Sequence, residues 1–251
     1  CELNIETYKN KMNKKILISS ISSACLLANV SNAEIKLGNV GSLSATAGVM
    51  SQYISRGVDQ NSDRPTAFAS VDFTAPINVI SSDLYLGVWA AGATGTDYGH
   101  ETDIYAGIKK QFGSVTADLG LVEYRYHGDS KSNAVNNIDY YLKLTYAPDK
   151  APYSLGISYF VNDSDGTRSS NKNVGDNYKE LNASYDFGPV KTGVSFAENN
   201  NDTQTWSVTM YKTFFNVDFA LSYIDARRQD INTSNLNKDR EYFTLTASKT
   251  F

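Results

Sequence analysis

After about residue 40, apolar and polar residues alternate one by one in blocks of roughly ten, with polar, Gly- or Asn-bearing stretches between the blocks. Period two is the strand signature, because successive side chains leave opposite faces of a sheet. The clearest block pair runs from Ile138 to Val161. Its first arm places Ile138, Tyr140, Leu142, Leu144 and Tyr146 on one face, and its second places Tyr153, Leu155, Ile157, Tyr159 and Val161 there. Asp139, Tyr141, Lys143 and Thr145, then Ser154, Gly156, Ser158 and Phe160, take the other face. Twelve strands are predicted, at 43–56, 65–75, 83–92, 101–112, 114–126, 137–147, 152–162, 177–187, 190–198, 203–213, 216–227 and 239–251. Short connections such as "FGS", "PDKA", "GP" and "FN" alternate with long polar ones such as "GVDQNSDR", "HGDSKSNAV" and "RQDINTSNLNK". All long loops therefore leave one end of an antiparallel meander, as they do in outer-membrane barrels.

The apolar faces carry aromatic residues at two levels. Tyr53, Tyr140, Tyr159, Phe196, Trp206, Tyr223 and Phe243 fall near the loop end, and Phe73, Phe112, Tyr146, Tyr153, Phe187 and Phe251 near the turn end. Two girdles around an aliphatic band suit a bilayer, whose interfaces favour half-buried rings with a wet hydroxyl. The expected fold is all-β, a transmembrane antiparallel up-and-down barrel of about twelve strands. Tyr140 to Tyr146 covers roughly 15 Å of membrane depth at ~40° tilt, so Ile138 and Val161 must extend the band. Glu123 and Arg125 break the outward apolar parity after Leu121, which predicts a bulge or projection beyond the lipid. Lys110, Lys212 and Lys249 are outward near the turn end, where snorkelling is expected.

Composition narrows the picture further. The 251 residues hold 17 Tyr and 11 Phe but only 5 Pro and 3 Met, and 41% are hydrophobic. That favours many two-faced strands over a thick aliphatic core. Lys14 and Lys15, the run "ILISSISSACLLANV" and Ser31-Asn32-Ala33 read as a signal peptide over 12–33, with residues 1–11 an upstream translation artefact and 34–251 the barrel domain. Both cysteines, Cys1 and Cys25, precede residue 34, so disulfide scaffolds and thiolate metal sites drop out of the barrel domain. Without 1–33 the net charge is −6, and no basic tract offers a nucleic-acid surface. Beyond residue 33 no run of 18 apolar residues exists for a transmembrane helix.

The segment from Ser51 to Phe73, "SQYISRGVDQNSDRPTAFASVDF", resembles the opening motif of the TorF family of porins at Ser51, Tyr53, Arg56, Gly57, Gln60, Arg64 and Pro65. "DLYLGVWA" from Asp83, "ETDIYAGIK" from Glu101 and "ADLGLVEYRY" from Ala117 resemble its next strands. The resemblance implies an outer-membrane barrel serving as a channel of undefined solute, with no binding residues to carry over.

Function is expected in the lumen. Inward parity places Arg56, Asp72, Asp103, Lys109, Asp118, Asp139, Lys143, Glu180, Asp186, Lys191 and Asp218 there. Such charges either tune a water-filled channel or form a salt-bridged plug. The favoured expectation is passive diffusion of small hydrophilic solutes or ions with weak cation preference. The alternative is a non-conducting adhesin or structural surface protein acting through its long loops. Partners would be outer-membrane lipid, small solutes and the barrel assembly machinery during biogenesis. Nothing predicts a cofactor. His100 and His127 carry no catalytic motif, and "DSDG" at Asp163 lacks the ligand spacing of a calcium loop.

Overall fold

The computed structural model describes residues 34–93, 99–127, 136–163, 177–200, 203–228 and 239–251. The segments expected to be an artefact and a signal peptide lie outside them, as do residues 164–176 and most of the other long loops.

Twelve long strands follow one another: β1 (Ser42–Met50), β2 (Thr66–Ile77), β3 (Ser82–Gly92), β4 (His100–Phe112), β5 (Val115–His127), β6 (Asn136–Tyr146), β7 (Tyr153–Asn162), β8 (Tyr178–Asp186), β9 (Lys191–Asn199), β10 (Thr203–Phe214), β11 (Val217–Arg228) and β12 (Arg240–Thr250). Each pairs antiparallel with its sequence neighbours, and β12 pairs with β1, so the sheet closes on itself as a barrel. Closure leaves no strand free along a whole edge, as a sheet in a bilayer requires. Strand lengths of 9 to 13 residues match what a tilted strand needs to cross a bilayer. Phe251 adds two backbone bonds to the closing seam, both with Ala45.

The alternation sorts side chains as the periodicity requires. Leu142, Leu144, Leu155, Ile157, Leu181, Val194, Leu221 and Leu245 are all exposed on the outside. So large an apolar surface is incompatible with water and belongs against hydrocarbon. Trp206, Tyr223 and Phe243 form a continuous aromatic run across three strands, with ring centroids 5.1 and 5.0 Å apart. At the turn end Lys110 Nζ lies 5.3 Å from the Phe112 ring and Lys249 Nζ 5.2 Å from the Phe251 ring. Both ammonium groups thus sit over girdle rings at the turn end, a cation–π contact.

One expectation is corrected and another narrowed. The first strand ends at Met50 rather than residue 56, and Tyr53 is buried rather than part of the outer girdle. The reason is chain direction. After Met50 the backbone folds back toward the lumen, and Ile54–Ser55 pairs with Val58–Asp59 as a separate hairpin. No bulge occurs at Glu123 or Arg125, where the register with both neighbouring strands is unbroken. The two side chains pair at 2.8 Å, which leaves projection beyond the lipid as the expectation there.

Candidate functional site: an inturned hairpin in a polar lumen

The hairpin turns on Arg56-Gly57, with φ of 49° and 79°. Positive φ at both central residues defines the tight two-residue turn that matches strand twist. Glycine suits it, whereas arginine in this region costs about 1–2 kcal/mol. Gly57 also has no room for a side chain, since a Cβ would lie 2.5 Å from Thr205 Oγ1 and 2.9 Å from the Ala226 Cβ. The following residues close a compact loop. Asp59 accepts from the backbone N–H groups of Asn61 and Asp63, and Asn61 donates to the carbonyls of Arg64 and Pro65.

What holds the hairpin inside is contact with walls on opposite sides of the barrel. Tyr53 packs on Trp89 of β3 at 5.4 Å between centroids. Ile54 is buried with Ile224 and Ala226 of β11 and Tyr242 of β12. Arg56 reaches Asp139 of β6 at 2.5 Å and donates to the Tyr124 hydroxyl of β5 at 3.2 Å. The guanidinium carbon also lies 5.8, 5.1 and 4.8 Å from the rings of Tyr124, Phe160 and Tyr178, a cation–π enclosure. Burial opposes the arginine charge, yet Tyr124 and Asp139 outweigh it and raise its pKa above the ordinary value. Burial first, then Glu101 and Asp103, push the Tyr53 hydroxyl well above its usual range. It stays protonated.

Below and around the hairpin, the lumen has two unlike walls. From β3 to β8 it is aromatic and charged. Tyr85 donates to Asp118 at 2.6 Å and meets the Tyr141 hydroxyl. Lys109 lies 3.8 Å from Asp118 and 4.6 Å from the Tyr85 ring. Lys143 sits 4.2 Å from the Tyr141 ring. The register aligns Lys109 with Asp118 and Asp118 with Lys143, so charge alternates across three neighbouring strands. Tyr105 donates to Asp72, and Tyr178 and Asn182 donate to Glu180. From β9 through β12 to β1 the wall is short and hydroxylated, with Ser195–Ser207, Thr209–Ser222 and Thr46–Thr250 pairs at 2.8 to 2.9 Å.

Of the eleven charged residues expected in the lumen, Asp103, Lys109, Asp118, Asp139, Lys143 and Glu180 are buried on strand faces turned inward. Asp72, Lys191 and Asp218 are partly buried, and Asp186 is exposed at the turn end. Arg56 arrives on the hairpin rather than on a wall. The structure brings Arg56 to Asp139 and Lys109 to Asp118, sets Asp186 opposite Lys191 in the register, and gives Asp186 and Asp218 hydrogen bonds to the nearby Gly188 and Thr213. Sequence reasoning missed Glu101, which shares the inward parity of Asp103 and accepts from Tyr126 at 3.3 Å. It also missed the lumenal role of Tyr53 and of Tyr85, Tyr105, Tyr124 and Tyr126. Parity gave a signal for the last four.

Fold and site together define a closed antiparallel barrel with an apolar exterior, a polar interior and a constricting hairpin near its loop end. Residues 39–251 match the model of a family described as "Bacterial protein of unknown function (Gcw_chp)", and the chain belongs to that family. No curated protein matches it in sequence. Among solved structures it is similar to the KdgM porin, at 12% identity over 83% of this chain and 99% of that one, with a TM-score of 0.50. It is also similar to the NanC porin, at 10% identity over 82% and 98% of the two chains, with a TM-score of 0.46. At this identity the likeness to KdgM speaks for a shared barrel fold.

Proposed function

We propose that the chain is a narrow porin-like channel of the bacterial outer membrane, a TorF-type barrel that passes small hydrophilic solutes or ions with weak cation preference. The observation that carries this reading is a closed barrel with hydrocarbon-compatible residues outside and polar residues along its inner wall, which only an aqueous path or an internal plug would require. The KdgM barrel, whose name is that of a porin, supports it by fold. Seven carboxylates and four cations expected in the lumen are joined by Glu101, which deepens the acidic excess. In this reading 12–33 directs export, the assembly machinery inserts the barrel, and the residue 51–65 segment sets the constriction. The eleven charged residues, with Glu101, line or border the path.

A second reading has one specific observation in its favour. The hairpin touches walls on opposite sides of the barrel, as a plug would, and a plugged barrel would act through its outer loops as a surface protein. Planar-bilayer recording of the purified protein separates the two. Resolvable single-channel steps, with a reversal potential of cation sign under a salt gradient, are expected. Well-inserted protein that passes no current would reject the channel, and an anion-sign potential would reject the selectivity.

A further inference from the structure

We propose that His100 and His127 together bind a divalent transition-metal ion on the outer face of the β4–β5 hairpin, at its loop end. The chain has only these two histidines, and the register sets them directly opposite each other. Their rings stack with centroids 4.7 Å apart and planes 14° from parallel. Both side chains are exposed, so incoming ions reach them from solvent.

Ring stacking by itself does not account for the choice of imidazole. Other ring pairs of the outer surface, such as Tyr146 with Tyr153, Tyr185 with Phe187 and Trp206 with Tyr223, use the hydrophobic aromatics. A pair of imidazoles adds what those pairs lack, two lone-pair nitrogens of borderline softness side by side. Nitrogens that share an ion at ~2.0–2.1 Å each lie roughly 3–4 Å apart. Rings whose centroids are 4.7 Å apart reach that spacing by rotation about χ2, a torsion with broad minima. The nearest outward cation along β5, Arg125, is already paired with Glu123 at 2.8 Å, so its charge is partly compensated.

Among the described residues no group of three or more His, Cys, Asp or Glu side chains forms a metal cage. The site is therefore a two-imidazole clamp whose other positions are filled by water, exchangeable rather than structural. Imidazole ligation predicts the affinity order copper(II) above nickel(II) and zinc(II), with cobalt(II) weaker. Bound metal would tie the ends of β4 and β5 together where the long loops begin.

The test uses the untagged full chain folded in detergent micelles, with copper(II) as probe and folding verified by electrophoretic mobility before and after boiling. Electron paramagnetic resonance of the wild type is expected to show two imidazole nitrogens per copper. His100→Gln and His127→Gln should each show one imidazole and bind at least about tenfold more weakly, equivalent to ~1.4 kcal/mol. The double variant His100→Phe with His127→Phe keeps a stacked pair and should show no imidazole coordination at all. A wild type with one imidazole or none overturns the proposal, as does either single Gln variant binding copper with wild-type affinity.

Discussion

Replacing Arg56 by alanine tests whether the inturned hairpin is seated by one ion pair to a buried carboxylate. Asp139 is fully buried, and once the guanidinium is gone its remaining side-chain partner among the described residues is Asn162, whose Nδ2 donates at 2.6 Å. Removing one member of a buried pair typically costs ~3–5 kcal/mol, because the survivor is left desolvated without a counter-charge. The guanidinium also gives up three aromatic faces within 5.8 Å, but these contacts are not additive with the ion pair. The backbone cost of the turn is unchanged, since alanine is no easier than arginine at positive φ. Unseating the hairpin relieves the stranded carboxylate by letting water in. A shift of ~3 kcal/mol corresponds to more than a hundredfold change in the seated-to-unseated ratio. The assay is single-channel recording in planar bilayers, comparing occupancy of the largest conductance level. Arg56→Ala should raise that occupancy by about two orders of magnitude wherever the wild type leaves it rarely populated. Arg56→Lys, which keeps the charge but loses the planar fork, should fall between the two. Folded Arg56→Ala protein with wild-type conductance and dwell times would refute the latch.

Other predictions concern the barrel. At Gly120 a Cβ would meet the hydroxyls of Tyr141 and Tyr85 at 2.6 Å and the Ala106 carbonyl at 2.7 Å, so Gly120→Ala should lower stability by ~1–3 kcal/mol. An unchanged urea midpoint in micelles would contradict that packing. Leu142 is exposed on the outer face, and Leu142→Arg should cost ~2–4 kcal/mol in a bilayer if this position lies near mid-depth. Folding titrations in lipid vesicles read this directly, and a neutral result would place Leu142 outside the hydrocarbon. Tyr53→Ala removes a buried ring packed on Trp89 and should destabilise the hairpin seat by about 3–5 kcal/mol. Faster protease cleavage within residues 58–64 is the expected readout, and unchanged kinetics would argue against that contact.

Most of the barrel was legible because a half-buried strand writes its two faces into every second residue. Eleven predicted strands lie within two residues of the observed bounds. The exception is instructive. Tyr53 continues the outward parity of Val49 and Ser51, and nothing local marks the point at which the chain leaves the wall. The inward fold of residues 51–65 is decided by distant partners on β3, β6, β10 and β11, which periodicity along one segment cannot register. Yet those residues are the ones on which the TorF resemblance rests. Tyr53, Arg56 and Gly57 are the wall-facing anchors of the hairpin. Glu123 and Arg125 show the converse, since a charged pair at 2.8 Å left the strand regular and removed the bulge from the two expectations held there.

The unequal walls of the lumen bear on how a permeation path should be mapped. Tyrosine and lysine fill volume on one side, while the other carries mainly serine, threonine, glycine and alanine, so below the hairpin an ion track would run off the barrel axis along β9–β12 and β1. Residues 34–251 contain no cysteine, which gives thiol-labelling experiments an empty background. Single cysteines at Ser195, Ser207, Ser222 and Thr244 would therefore chart that track by modification rate, on a wall where the replaced atoms are few and carry no charge.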